Sequence, residues 1–228
     1  MKRAIIIMTK IPLAGTVKTR LQSFLSPEEC AALAAAFLMD TEKKAKTVCN
    51  KTIIAFSPPG KGTELENLLQ YEHEFTEQTG ANLGERMFNA FQFAFEKDLD
   101  AVVMIGTDSP TFPPEFIAKA FEFLEKTDAV LGKTADGGFY LIGFRRRLKK
   151  EIFENVEWSS ERTFSQTKKN ITRLNFNLQK LPAWYDVDEP EDLHKLFTEF
   201  QTDNRAREIA PVTFQWLTNQ KLFSKPND

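Results

Sequence analysis

The chain alternates short, continuous apolar runs with longer segments in which apolar residues recur every three or four positions. The first pattern predicts strands buried on both faces, and the second predicts helices with one face in a core. The predicted strands lie at residues 3–8, 52–56, 102–105, 129–131 and 139–144, with a brief one ending near residue 78. This alternation is typical of an α/β domain.

Capping and proline residues mark where the predicted helices begin. These helices start near residues 26, 64, 83, 113, 188 and 211. Ser159 or Ser160 is expected to cap a further helix, because a serine side chain can accept a hydrogen bond from the first helical turn. Residues 172–181 are predicted to form the last extended segment.

The turn at residues 106–110 places Asp108 just past the end of a strand that is expected to be central. In open α/β sheets, ligands bind outside the carboxyl ends of the strands. A carboxylate at this point suits Mg²⁺ or Mn²⁺, which prefer hard oxygen ligands and often share them with substrate phosphates.

The loop after the first strand combines one glycine with closely spaced cations. Gly15 would allow the backbone to approach a ligand, and Lys18 and Arg20 would neutralise charge, as a phosphate site requires. The spacing does not match a Walker loop. A solvated basic loop explains the same residues equally well.

Two other polar segments also allow both a functional and a structural interpretation. Gln78 could recognise a base edge, since an amide both donates and accepts, but it could equally stabilise a turn. Asp136, Gly137 and Gly138 could leave room for a substrate that faces the carboxylate. The same residues are also typical of a hairpin turn.

Two aspartates near the end of the domain flank Val187. In an extended segment, Asp186 and Asp188 would point to the same side, so both could face a cation. Asp188 is also a good N-cap, and Glu191 would complete a capping box. The capping and metal-binding roles of Asp188 do not exclude each other.

Composition narrows the class of protein. The chain has 228 residues, of which 42% are hydrophobic and 27% charged, so one globular domain with a small appendage is expected. The net charge of −2 provides no general attraction for nucleic acid. Two cysteines, no signal-peptide core and no membrane-length apolar run indicate a cytoplasmic protein.

Taken together, six short motifs resemble the bacterial glycosyltransferase-like DUF2064 family. They occur in the family's order, at residues 12–21, 83–86, 106–110, 136–143, 158–159 and 185–193. Lys133 departs from the pattern, which would have proline before the Asp-Gly-Gly segment. The resemblance implies a GT-A, nucleotide-diphospho-sugar transferase-like fold: three layers, with a mostly parallel central sheet and helices on both faces. It covers residues 1–201 and leaves 202–228 as a helical, frayed extension.

The resemblance also implies roles for individual residues around a bound nucleotide and Mg²⁺ or Mn²⁺. The nucleotide would be bound by Ala14, Gly15, Lys18, Arg20, Gln78 and Gly84. The metal ligands would be Asp108 and Asp188, and the catalytic residues Asp136 and Asp108. The substrate would meet Gly137, Gly138 and Trp158.

The function that follows is a metal-dependent glycosyltransferase, with a nucleotide-sugar donor and a small-molecule acceptor. The alternative is a nucleotidyltransferase that joins an NTP to a phosphorylated small molecule and releases pyrophosphate. A nucleotide-binding protein without turnover is a third possibility. The resemblance does not predict an oligomeric state.

Overall fold

The fold is a central sheet between helical layers, seen in a computed structural model that describes residues 1–146 and 148–220. The strands are β1 Arg3–Lys10, β2 Thr52–Ser57, β3 Glu74–Glu77, β4 Ala101–Ile105, β5 Ala129–Thr134, β6 Phe139–Arg145 and β7 Leu178–Trp184. The helices are α1 Pro27–Val48, α2 Gly62–Leu68, α3 Leu83–Phe95, α4 Pro114–Leu124, α5 Thr163–Arg173, α6 Pro190–Thr202, α7 Asn204–Ile209 and α8 Pro211–Asn219.

The seven strands form one sheet in the order β3-β2-β1-β4-β6-β5-β7. All neighbouring pairs are parallel except those of β6, which runs antiparallel to both β4 and β5. The predicted mostly parallel α/β sheet is confirmed. Because β1 and β4 are parallel neighbours, the loops that follow them meet at one edge of the sheet.

The sheet is buried on both faces, as its continuous apolar runs predict. Along β1, Ile5 and Ile7 pack into one core cluster, whereas Ala4 and Ile6 pack into another on the opposite face. This alternation follows from the two-residue period of a strand. Helices therefore cover both sides, and the strand ends are left to carry polar side chains.

The C-terminal helices enclose a third apolar cluster together with α1. It contains Leu33 and Phe37 from α1, Leu196 from α6 and Leu217 from α8. The predicted helix at residue 211 is confirmed as α8, but the domain boundary at residue 201 stays a prediction. The expected frayed end, from residue 221 on, lies outside the described residues.

Helix α5 begins later than the sequence predicts. Neither Ser159 nor Ser160 is its N-cap, which is Arg162. The Ser160 hydroxyl instead accepts a hydrogen bond from the Arg162 backbone N–H at 3.2 Å, and this closes a turn before the helix. The helix then continues to Arg173, so the predicted extended segment is shorter and is formed by β7.

The N-terminus of α6 also differs from the prediction by one residue. Its N-cap is Glu189 rather than Asp188, and the box acceptor is Asp192 rather than Glu191. The Glu189 backbone N–H donates to Asp192 at 3.0 Å. Asp188 therefore lies one residue before the cap, and its carboxylate binds Lys18.

Within the described part of the chain, no helix combines the length and the apolar character needed to cross a membrane.

Candidate active site

Two segments that are distant in sequence meet at the carboxyl end of β4. The backbone N–H of Val187 donates to the carbonyl of Asp108 at 2.8 Å. This bond holds residues 185–188 beside the loop at residues 106–110. Asp108 and Asp188 are consequently brought to the same side of the sheet edge, as the sequence predicts for a pair of metal ligands.

Lys18 joins the two aspartates. Its ammonium group donates to Asp108, to the Val187 carbonyl at 2.7 Å and to Asp188 at 3.0 Å. An ammonium has three N–H donors, so all of them are engaged. The Lys18 side chain is only 6% exposed, whereas those of Asp108 and Asp188 are 49% and 39% exposed.

The charge of Lys18 is stabilised in this position. Burial by itself lowers its pKa, but the charges of Asp108 and Asp188, and their hydrogen bonds, outweigh burial and raise the pKa above its ordinary value. The residue also lies in the left-handed backbone region, with φ of 46°. The chain therefore turns sharply here and directs this side chain into the aspartate pair.

The same carboxylate pair fits a divalent cation. One oxygen of Asp108 and one of Asp188 already lie within hydrogen-bonding distance of a single cationic nitrogen, so they converge on one point. Within residues 1–146 and 148–220, no group of three or more His, Cys, Asp or Glu side chains could hold a metal. A bound Mg²⁺ or Mn²⁺ would therefore need further oxygens from phosphate or water, as is common for Mg²⁺.

Asp186 is a third carboxylate of this site. It accepts a hydrogen bond from the Ser109 hydroxyl. Burial raises its pKa to about 7; the Ser109 bond opposes this rise, and the charges of nearby aspartates add to it. From the sequence, Asp186 could face a cation, but its contact with Ser109 could not be predicted, because the two residues are 77 positions apart.

The loop that leads to Lys18 is open to solvent. A turn closes where Thr16 donates to the Leu13 carbonyl through its N–H at 3.1 Å and its hydroxyl at 2.9 Å. Gly15, at the tip, has φ of 78° and no atom within 4 Å of where a Cβ would lie. Ala14 is also exposed. The loop therefore has the space that a phosphate group needs.

Arg20 lies at the rim of the same site. Its guanidinium is 3.7 Å from the carboxylate of Glu189, and both side chains are more than half exposed. An exposed pair of this kind contributes little to stability. Arg20 can therefore leave Glu189 for an anionic ligand at low cost.

Gln78 has a structural role that the sequence left open. Its amide nitrogen donates to the carbonyls of Thr9 and Ala55, both at 2.9 Å. These bonds tie together the ends of β1 and β2. Both amide N–H groups are engaged, so a base contact would have to use the side-chain oxygen, and that contact stays a prediction.

Gly84 and Trp158 pack directly against each other. A Cβ on Gly84 would lie 2.5 Å from the indole ring, so only glycine allows this approach. They share a cavity of about 430 Å³. Its lining residues are Asn82, Gly84, Glu85, Lys150, Phe153, Glu154, Asn155, Val156 and Trp158. Within the described residues, no hydrogen bond or ion pair joins Gln78, Gly84 or Trp158 to the aspartates.

Asp136 stabilises the turn between β5 and β6. One of its carboxylate oxygens accepts from the Thr134 hydroxyl at 2.5 Å and from the Gly138 N–H at 3.0 Å. With φ of 95°, a Cβ on Gly137 would overlap the backbone of Glu161, so packing within the chain already requires glycine at this position. Direct substrate contacts of Gly137 and Gly138 stay predictions.

Comparison with known proteins agrees with this architecture. The family model described as an uncharacterized protein conserved in bacteria, DUF2064, matches residues 40–160, which is more than half of the chain. The chain belongs to the DUF2064 family. Membership confirms the resemblance carried by the six motifs. A search of curated proteins gives no match.

Solved structures extend the likeness to almost the whole DUF2064 chain. One is a Desulfovibrio desulfuricans G20 protein provisionally named a nucleotide-diphospho-sugar transferase, with 31% identity, a TM-score of 0.83, and 95% of this chain and 99% of that chain covered. CMP:2-keto-3-deoxy-manno-octonic acid synthetase complexed with CTP has 12% identity and a TM-score of 0.59, with 88% and 99% covered. A manganese complex from Mycobacterium tuberculosis H37Rv has 14% identity and a TM-score of 0.50, with 86% and 97% covered.

These three structures establish the fold. The predicted nucleotide-diphospho-sugar transferase-like fold is confirmed, because 31% identity and a TM-score of 0.83 extend over 95% of this chain. The two structures of 12% and 14% identity share the fold alone.

Proposed function

We propose that the protein is a metal-dependent glycosyltransferase that takes a nucleotide-sugar donor and a small-molecule acceptor. The observation that carries the proposal is the convergence of Lys18, Asp108 and Asp188 at the carboxyl ends of β1 and β4. A buried cation between two carboxylates, beside an open glycine loop, matches what a diphosphate with a divalent cation requires.

Asp108 and Asp188 would hold Mg²⁺ or Mn²⁺. The bound cation would neutralise the charge of the donor diphosphate. The manganese-bound structure of the same fold supports the choice of ion. The exposed fractions of the two aspartates leave them accessible from solvent.

Lys18 and Arg20 would bind the phosphates. Since all three donors of Lys18 are engaged, it can donate to a phosphate oxygen only by releasing at least one present acceptor. Arg20 needs to release only an exposed glutamate. Each cation would then stabilise the negative charge on the leaving nucleoside diphosphate.

Asp136 would face the acceptor hydroxyl. One of its oxygens is engaged in the turn, and the other accepts no hydrogen bond within the described residues. That second oxygen could accept the proton of an acceptor hydroxyl if the reaction inverts configuration. Trp158, in the wall of the 430 Å³ cavity, is the proposed substrate contact.

Nucleotidyl transfer is the second candidate, favoured by the similarity to a synthetase complexed with CTP. In that reaction a phosphorylated small molecule attacks the α-phosphorus of an NTP and pyrophosphate leaves. The same lysine, arginine and aspartates would serve, since both reactions require charge neutralisation on a diphosphate.

One experiment separates the candidates. A thermal-shift panel of NTPs and nucleotide sugars with Mn²⁺ identifies the ligand, and phosphorus NMR then identifies the product formed with candidate acceptors. A nucleoside diphosphate supports glycosyl transfer, whereas pyrophosphate supports the alternative. Binding without a product would indicate a nucleotide-binding protein without turnover. A panel in which no nucleotide stabilises the protein would refute all three functions.

A further inference from the structure

A lysine is buried directly beneath the Asp108 loop. Lys44, on α1, is 3% exposed. Its amino group donates to the carbonyl of Pro110 at 2.8 Å and to that of Ser109 at 3.4 Å. It also lies 3.6 Å from the centre of the Phe112 ring. Every one of these contacts is to the segment that follows Asp108.

Asp40 lies one helical turn before Lys44 and is also buried. Its two carboxylate oxygens accept from the backbone N–H groups of Val212, at 3.0 Å, and Thr213, at 2.8 Å. These N–H groups belong to the first turn of α8. The same face of α1 therefore binds the start of α8 through Asp40 and the Asp108 loop through Lys44.

Burial is costly for both groups. It lowers the pKa of Lys44 to about 7, although the charge of Asp40 favours a higher value. It also raises the pKa of Asp40, although the hydrogen bonds from Val212 and Thr213 favour a lower value. Lysine is rarely fully buried unless it is paired. No salt bridge to Lys44 is present in the described chain, and an apolar side chain could fill the same space at lower cost. An apolar side chain could not donate to the carbonyls of Ser109 and Pro110, as the amino group of Lys44 does.

We propose that Lys44 is a positioning residue for Asp108. By fixing the carbonyls of Ser109 and Pro110, it sets the direction in which the Asp108 side chain leaves the loop, and Asp40 couples this support to α8. The consequence for ligand binding rests on the proposed function, because it requires a nucleotide and a divalent cation at Asp108. The order of the loop itself does not depend on that function.

The test compares Lys44→Met with Lys43→Met. The first removes the buried amino group and keeps an unbranched stem, and the second makes the same substitution at the neighbouring exposed lysine. Hydrogen exchange is measured at residues 106–112, and urea unfolding measures global stability. Calorimetry measures the Mn²⁺-dependent affinity for the nucleotide found in the thermal-shift panel.

Lys44→Met is expected to speed exchange at residues 106–112 by about tenfold or more and to weaken nucleotide affinity by about tenfold. Each tenfold change corresponds to about 1.4 kcal/mol, in the free energy of local opening and in the free energy of binding. Lys43→Met should change neither. A merely structural role would lower global stability and speed exchange throughout the sheet. Unchanged exchange at residues 106–112 in a folded Lys44→Met protein would overturn the proposal.

Two further measurements keep the test decisive. In the wild-type protein, the amides of Gly106 and Phe112 should exchange slowly, because their N–H groups donate to the carbonyls of Tyr140 and Ser109. Fast exchange at both amides would overturn the proposal without any variant. Asp40→Asn should speed exchange in both α8 and this loop, and an effect on α8 alone would refute the coupling. If no nucleotide binds the wild type, the proposed function fails, and exchange still decides the role of Lys44.

Discussion

The position of Lys18 between two aspartates makes a specific prediction about metal affinity. A divalent cation that takes one oxygen from each aspartate must first displace the ammonium group that already binds both. Lys18→Met removes the ammonium and keeps an apolar stem of similar length. The variant should therefore bind Mn²⁺ more tightly than the wild type when no nucleotide is present.

The size of the effect follows from the contacts. A hydrogen bond to a charged group contributes about 1.5–3 kcal/mol. Because the side chains of Asp108 and Asp188 are 49% and 39% exposed, water screens them and the lower end of the range applies. About 2–3 kcal/mol for the two bonds corresponds to Mn²⁺ affinity that is roughly 30- to 150-fold higher in the variant.

Titration of free Mn²⁺ by electron paramagnetic resonance measures this affinity directly. Lys10→Met is the matched control, since Lys10 is an exposed lysine at the end of β1 and its loss makes the same change in net charge. The affinity of the Lys18 variant for a nucleoside diphosphate should fall, while its affinity for Mn²⁺ rises. Mn²⁺ affinity that is unchanged, or that rises equally in both variants, would refute the shared site.

Three other predictions concern single groups. Asp108→Asn should weaken Mn²⁺-dependent nucleotide binding by about 100-fold or more in calorimetry while the protein stays folded, and unchanged binding would remove Asp108 from the metal site. Gly137→Ala should lower the free energy of unfolding by about 3 kcal/mol because a methyl group would overlap Glu161, whereas Gly15→Ala, with open space, should cost only about 1 kcal/mol; equal urea midpoints would contradict this. Burial lowers the pKa of Lys44 from 10.5 to about 7 in the folded protein. Between these two pH values the unfolded chain binds more protons than the folded protein. The stability of the wild type relative to Lys44→Met should therefore rise as the pH increases from 7 toward 10. If urea unfolding gave the same stability difference between the two proteins at every pH in this range, the pKa of Lys44 would not be lowered.

The sheet and the aspartate pair could be predicted from sequence because continuous apolar runs mark the buried strands and therefore also show where each strand ends. Asp108 follows a fully apolar strand, and Lys18 follows the first one. Once the strands are parallel neighbours, their following loops must meet. The loops of β1 and β4 do meet, and Asp108 contacts Lys18.

Side-chain partners across the chain could not be predicted in the same way. Lys44 lies on a helix where a lysine normally indicates the solvated face, and nothing local shows that two carbonyls 65 and 66 residues away need it. Gln78 has the same difficulty, since its partners are backbone groups of two other strands. The predicted cap of α6 was one residue too early, because Asp188 and Glu189 can both cap a helix and the local sequence does not choose between them.

The separation along the chain of the three groups that Lys18 binds has a consequence for folding kinetics. Lys18 lies 90 residues from Asp108 and 170 from Asp188, so the contact with Asp188 closes most of the chain into one loop. Contacts of such long range form late, because chain entropy must be lost before they stabilise anything. During synthesis, β1 to β6 can be complete while Lys18 still has only one carboxylate partner. Nucleotide binding would then report the last stage of folding rather than the formation of the sheet.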